Sequence, residues 1–96
     1  MAAGRTLDAG LIRAALDHIH PALPREEWAR VAMALKAELP GDDGFDLFDA
    51  WSKRDPDSYD PKAVRATWRS VKAGGGITGA TLIYLALSVG VRKLLN

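Results

Sequence analysis

The sequence predicts an all-α fold, a compact irregular bundle of about five short helices forming a single domain over residues 1–96. Three observations predict it. Apolar residues recur at three- and four-residue spacing, Pro and Gly separate those stretches, and no segment alternates apolar with polar residues as a half-buried strand would. With 48% hydrophobic and 26% charged residues, the 96-residue chain has an ordinary globular composition. That excludes a disordered tail and an enzyme with separate substrate and cofactor lobes. A chain of this size buries roughly two thirds of its unfolded surface and needs no disulfide or metal staple. It contains no cysteine, which removes zinc fingers, thiol nucleophiles and thiol redox chemistry. No signal peptide opens the chain, so the cytoplasm is the expected compartment.

The first helix is expected through Leu7, Leu11, Ile12, Ala15, Leu16 and Ile19, with Thr6 or Asp8 as N-cap and an end near His18. Pro21 and Pro24 break the chain, and Pro24 is expected at the first position of a second helix whose opening turn carries Glu26 and Glu27. Its buried stripe reads Trp28, Val31, Ala32, Leu35 and Leu39, and Pro40 and Gly41 stop it. Asp42 or Asp43 then caps a third helix through Phe45, Leu47, Phe48 and Trp51, followed by a polar loop from Lys53 to Ser58.

The fourth helix has the strongest start signal. Asp60 is an N-cap before Pro61, and Tyr59 is placed to staple onto Val64. This helix runs to about Val71, with Val64, Thr67, Trp68 and Val71 on one face and Lys62, Arg65, Arg69 and Lys72 on the remainder. Gly74, Gly75 and Gly76 release the backbone, Thr78 caps a fifth helix, and Gly90 ends it. The uncharged run from Ala73 to Val91 approaches membrane-span length, but its glycines shorten the apolar part. The fifth helix is therefore expected in the middle of the bundle, with Val91, Leu94 and Leu95 as an added turn or a linker.

The net charge of +1 conceals a division. Residues 1–50 carry five basic and nine acidic side chains, whereas residues 51–96 carry eight basic and three acidic ones, with no carboxylate side chain after Asp60. Such asymmetry points to a polyanionic partner on one side of the molecule. Arg65, Arg69 and Lys72 are spaced four and three apart, so they stack on one side of the fourth helix beside Trp68 and repel one another. The glycine turn and the start of the fifth helix follow directly, and no acid lies in the turn Gly79–Ala80–Thr81. Free N–H groups and a positive dipole end there favour an anion. The residues so singled out for polyanion binding are Lys62, Arg65, Arg69, Lys72, Gly75, Gly76 and Thr78. The plain alternative is a solvated basic face.

Other motifs read more blandly. Trp28, Trp51 and Trp68 are base-stacking candidates, but each falls on the apolar stripe of its own helix and is expected in the core. Asp55, Asp57 and Asp60 lack the Gly and distal Glu of a calcium loop and sit in a Pro-interrupted loop, so no metal is expected there. His18 and His20 are two apart across a helix end and share no face. No nucleophile stands in a Gly-x-Ser-x-Gly context and no Walker lysine follows the glycines, so the chain is expected to be neither an enzyme nor a cofactor binder.

Several residues, taken in order, carry a resemblance. Trp28, Met33-Ala34-Leu35, Phe45, Phe48, Trp51-Ser52, Tyr59-Asp60, Trp68-Arg69-Ser70, Gly74-Gly75-Gly76-Ile77-Thr78, Thr81-Leu82 and Tyr84-Leu85-Ala86 resemble the second type of primase C-terminal domain (PriCT-2). The likeness covers about Leu16 to Gly90, and the Trp-x-Ser and Gly-Gly-Gly-Ile-Thr elements in that order are its specific part. It implies a small helical accessory domain found beside primase-polymerase or helicase domains of phages, plasmids and other mobile elements. Such a domain assists template or primer engagement and does not transfer phosphoryl groups. The partners implied are DNA, single-stranded or primer-template, and a primase or helicase catalytic domain. A second reading stays open: a free-standing phage or mobile-element adaptor or inhibitor that docks onto a larger nucleic-acid enzyme. In that case Asp42, Asp43, Asp46 and Asp49 around the third helix would imitate phosphates.

Overall fold

Five helices follow one another: α1 (Ala9–Asp17), α2 (Arg25–Glu38), α3 (Asp42–Ser52), α4 (Pro61–Ser70) and α5 (Gly79–Leu95). The structure is a computed structural model that describes residues 9–72 and 77–95, with side chains described through Ser88. The caps expected at Thr6 and Asp8, and the glycines Gly74, Gly75 and Gly76, lie outside the described residues. The radius of gyration, 13.0 Å, is that of a densely packed chain of about a hundred residues.

Local chemistry explains most helix ends. The Asp60 side chain accepts the Lys62 N–H at 3.0 Å, and Pro61 opens α4 with a fixed φ and no orphan N–H, as expected. Two starts are shifted from expectation. Pro24 has ψ 148° and is the N-cap of α2 rather than its first residue; its carbonyl accepts the N–H groups of Glu27 and Trp28. Extended Gly41, not Asp42 or Asp43, is the N-cap of α3, and the two aspartates occupy the first turn, where their charges complement the helix dipole. A larger difference lies in α5, which runs through Gly90 to Leu95. One interior glycine costs about 1 kcal/mol relative to alanine, too little to stop a helix continued by Val91, Leu94 and Leu95.

The centre of the bundle is α2, not α5. Helix α2 packs against α3, α4 and α5, while α1 lies on α5 and α3 on α4. The small residues Ala32 and Ala34 of α2 are fully buried and let neighbours approach from several sides. Helix α5 buries Leu82 but turns Tyr84 and Leu87 outward, 69% and 63% exposed. Among the described residues no helix is long and apolar enough to cross a membrane.

Phe48 organises the aromatic core. Its ring centroid lies 4.9 Å from that of Trp28, 6.2 Å from Trp51 and 6.0 Å from Trp68, within the range of favourable offset and tilted pairs. Indole N–H groups tie elements together: Trp51 Nε1 donates to the Ile19 carbonyl at 2.7 Å and Trp28 Nε1 to Ser52 Oγ at 3.1 Å. Beyond α3, Arg54 reaches the end of α1, donating to the Leu16 carbonyl at 3.3 Å and pairing with Asp17 at 2.8 Å. There its charge meets the negative pole of the helix.

Candidate functional site

Helix α4 presents two faces. Val64, Thr67 and Trp68 are buried, so the helix repeat turns Lys62, Arg65 and Arg69, at i, i+3 and i+7, together to the solvent side, where all three are exposed. Among the described residues, none of Lys62, Arg65, Arg69 and Lys72 is held in an ion pair. These charges therefore keep their full capacity for an external anion.

Lys72 departs from the expected stack. The helix ends at Ser70, and Val71 has ψ 149°, so the chain has left the helical path before Lys72. A side chain from another helix meets that end. Lys36 Nζ donates to the carbonyl of Trp68 and, at 3.2 Å, to that of Val71, while lying 5.2 Å from the centroid of the Trp68 ring. A cation at the negative end of the dipole satisfies carbonyls that no further turn would reach. Lys72 remains exposed beside the row without being part of it.

The expected anion seat at the start of α5 is filled from within. The first turn has no acid of its own, as its sequence shows, but Glu38 at the end of α2 accepts the Gly79 N–H at 2.9 Å. Thr78 Oγ1 accepts the Ala80 N–H at 3.2 Å, and the Thr78 carbonyl accepts that of Thr81 at 2.9 Å. Thr78 is thus a helix cap, and the N–H groups of these three residues are committed within the chain. Gly75 and Gly76 lie outside the described residues.

A cleft of about 330 Å³ borders α4 on the side of Ala63 and Val64. Pro21, Leu23, Arg25, Trp28 and Tyr59 line it, with Asp55, Ser58 and Asp60 at its polar side. Trp28 is half-buried, unlike the buried Trp51 and Trp68, so one of the three tryptophans keeps ring surface at a cavity. The Arg25 guanidinium lies 5.7 Å from the centroid of the Trp28 ring. Tyr59 donates its hydroxyl to Asp49 at 2.6 Å, and Lys53 Nζ lies 5.6 Å from the centroid of its ring. The hydrogen bond to Asp49, with desolvation and the Asp49 charge, holds the Tyr59 phenol above its ordinary pKa, against the opposing pull of Arg65.

The remaining candidates are structural. Asp55 accepts the Ser58 hydroxyl at 2.5 Å, Asp60 caps α4, and among the described residues no cluster of metal-binding side chains forms. His20 Nδ1 accepts the Ala22 N–H at 3.1 Å and so orders the α1–α2 connection. Of the acidic group around α3, Asp42, Asp43 and Asp46 are exposed, but Asp49 is bound by Tyr59 and pairs with Lys53 at 3.3 Å.

Sequence reasoning missed Lys36, Glu38 and the convergence on the cleft. The α2 pair binds residues 32 and 41 positions away in sequence, a distance at which no local motif gives a signal.

Comparison with protein-family models gives a match to Primase C terminal 2 (PriCT-2) over residues 12–86. No curated protein and no solved structure matches the chain.

Proposed function

The chain belongs to the primase C-terminal 2 (PriCT-2) family, and on that premise we propose that it is a nucleic-acid-binding accessory domain of a primase or replication protein. It holds a template or primer strand for a separate catalytic domain, while phosphoryl transfer belongs to that partner. DNA, single-stranded or primer-template, is the ligand, and a primase or helicase domain of a phage or mobile element is the protein partner.

One observation carries the reading: Lys62, Arg65 and Arg69 form a solvent-facing row with no internal ion pair among the described residues. Like charges so placed repel by a few tenths of a kcal/mol per pair, a cost that a bound polyanion reverses. The contacts are to phosphates and so independent of sequence. The seat at the start of α5 has no part in this reading, because Glu38 already occupies it. The rival adaptor reading, with α3 imitating phosphates, is weakened by the internal pairing of Asp49.

Fluorescence anisotropy with a labelled oligothymidylate, titrated at several salt concentrations, tests the proposal. Three cations at the phosphates give a log–log salt slope of about −2 for a single strand. Absence of binding at low salt, or binding insensitive to salt, would exclude it.

A further inference from the structure

The cleft beside α4 has no part in the phosphate contacts: Ala63, which lines it, stands about 100° around the helix from Lys62, so the cleft and the cationic row occupy neighbouring sides of α4. Its volume of about 330 Å³ lies at the small end of the roughly 300–1,000 Å³ typical of ligand sites, suited to a single ring system. Half-buried Trp28 packs against Phe48 at 4.9 Å and carries the Arg25 guanidinium over its ring at 5.7 Å, which leaves to a guest the indole edge and the outer plane of the guanidinium, a plane on which unpaired bases stack. Asp55 and Asp60 each use one carboxylate oxygen internally, toward Ser58 and Lys62, which leaves the other to accept the N–H of a base. The same carboxylates repel phosphates.

We propose that this cleft receives one unpaired nucleobase of a single strand whose phosphates lie along α4. The inference rests on the strand-binding reading above and adds to it a preference for unpaired bases over duplex. A basic side chain of a partner protein is the competing guest. Asp55 and Asp60 attract it and the Arg25 charge repels it, whereas a neutral ring needs no counter-charge and stacks on the guanidinium plane.

The test compares oligothymidylate with an abasic strand of the same length and charge, using the full chain and Ala63→Phe, which fills the cleft from a half-buried helix position. The wild type is expected to bind oligothymidylate about tenfold more tightly than the abasic strand. Ala63→Phe is expected to remove that preference while leaving abasic-strand affinity unchanged. Equal affinities in the wild type overturn the nucleobase site and leave phosphate binding standing, whereas failure of both strands to bind removes both proposals. A folded Ala63→Phe variant, checked by circular dichroism, that keeps the preference also overturns the site. If that variant fails to fold, the wild-type comparison alone decides. Direct binding of N-acetylarginine amide by the wild type and not by Ala63→Phe, with oligothymidylate and the abasic strand equal, assigns the cleft to a basic side chain instead.

Discussion

Reversing the charge of the α4 row, with Lys62→Glu, Arg65→Glu and Arg69→Glu combined, is expected to weaken strand binding by about 100-fold or more at moderate salt. Each change removes a cation from a phosphate and puts a carboxylate in its place. The three side chains are exposed and in no ion pair among the described residues, so little else changes. Their effects on α4 itself nearly cancel: an acid at position 62 favours the start of the helix by about 0.3–1 kcal/mol, and one at position 69 disfavours its end by a similar amount. Thermal unfolding of the variant is therefore expected within a few degrees of the wild type. Wild-type affinity in the triple variant would place the contacts on another surface.

Gly44→Ala is expected to destabilise the fold by about 3 kcal/mol, with Tm falling by roughly 10–20 °C. A Cβ at Gly44 would stand 1.9 Å from the Leu39 carbonyl oxygen and 2.9 Å from Trp68 Cη2. The carbonyl is backbone at the C-cap of α2 and cannot yield without moving the α2–α3 turn. The gain in helix propensity from glycine to alanine, about 1 kcal/mol, is too small to offset such overpacking. Gly41 is the internal control, since a Cβ there meets nothing within 4 Å. Gly41→Ala is expected to change stability by under about 1 kcal/mol. Equal urea midpoints for the two variants would contradict the close approach of α3 to the α2–α3 turn.

The legible parts of the sequence were those whose physics is local. Asp60 before Pro61 marks a helix start through one side-chain acceptor and one missing donor, and the structure has both. The stripes through Val31 and Leu35, and through Phe48 and Trp51, mark core faces because burial follows the helical repeat. Of the cationic row, Arg65 and Arg69 were legible as sharing a face, since four residues return a helix to one side, but the expectation joined Lys72 to them where the structure joins Lys62. Non-local physics decided the rest. Lys36 holds the carbonyls where α4 ends and Lys72 leaves the row, and Glu38 fills the start of α5. Both act from α2 on partners 32 and 41 residues away, so the charge count that exposed a basic half gave no sign that an acid from the other half completes it. The central place of α2 was equally hidden, because small buried alanines carry less hydropathy than the apolar run of α5, part of which faces outward.

Backbone amide NMR of the full chain titrated with oligothymidylate locates the polyanion on the surface, and α4 is where it is expected. Shifts are expected to concentrate at Lys62, Arg65, Arg69 and Lys72 and at the cleft rim around Trp28 and Tyr59, with the exposed face of α3 around Asp42 and Asp46 unmoved. Shifts centred on α3 or on the outward face of α5 at Tyr84 and Leu87, with α4 silent, would contradict it.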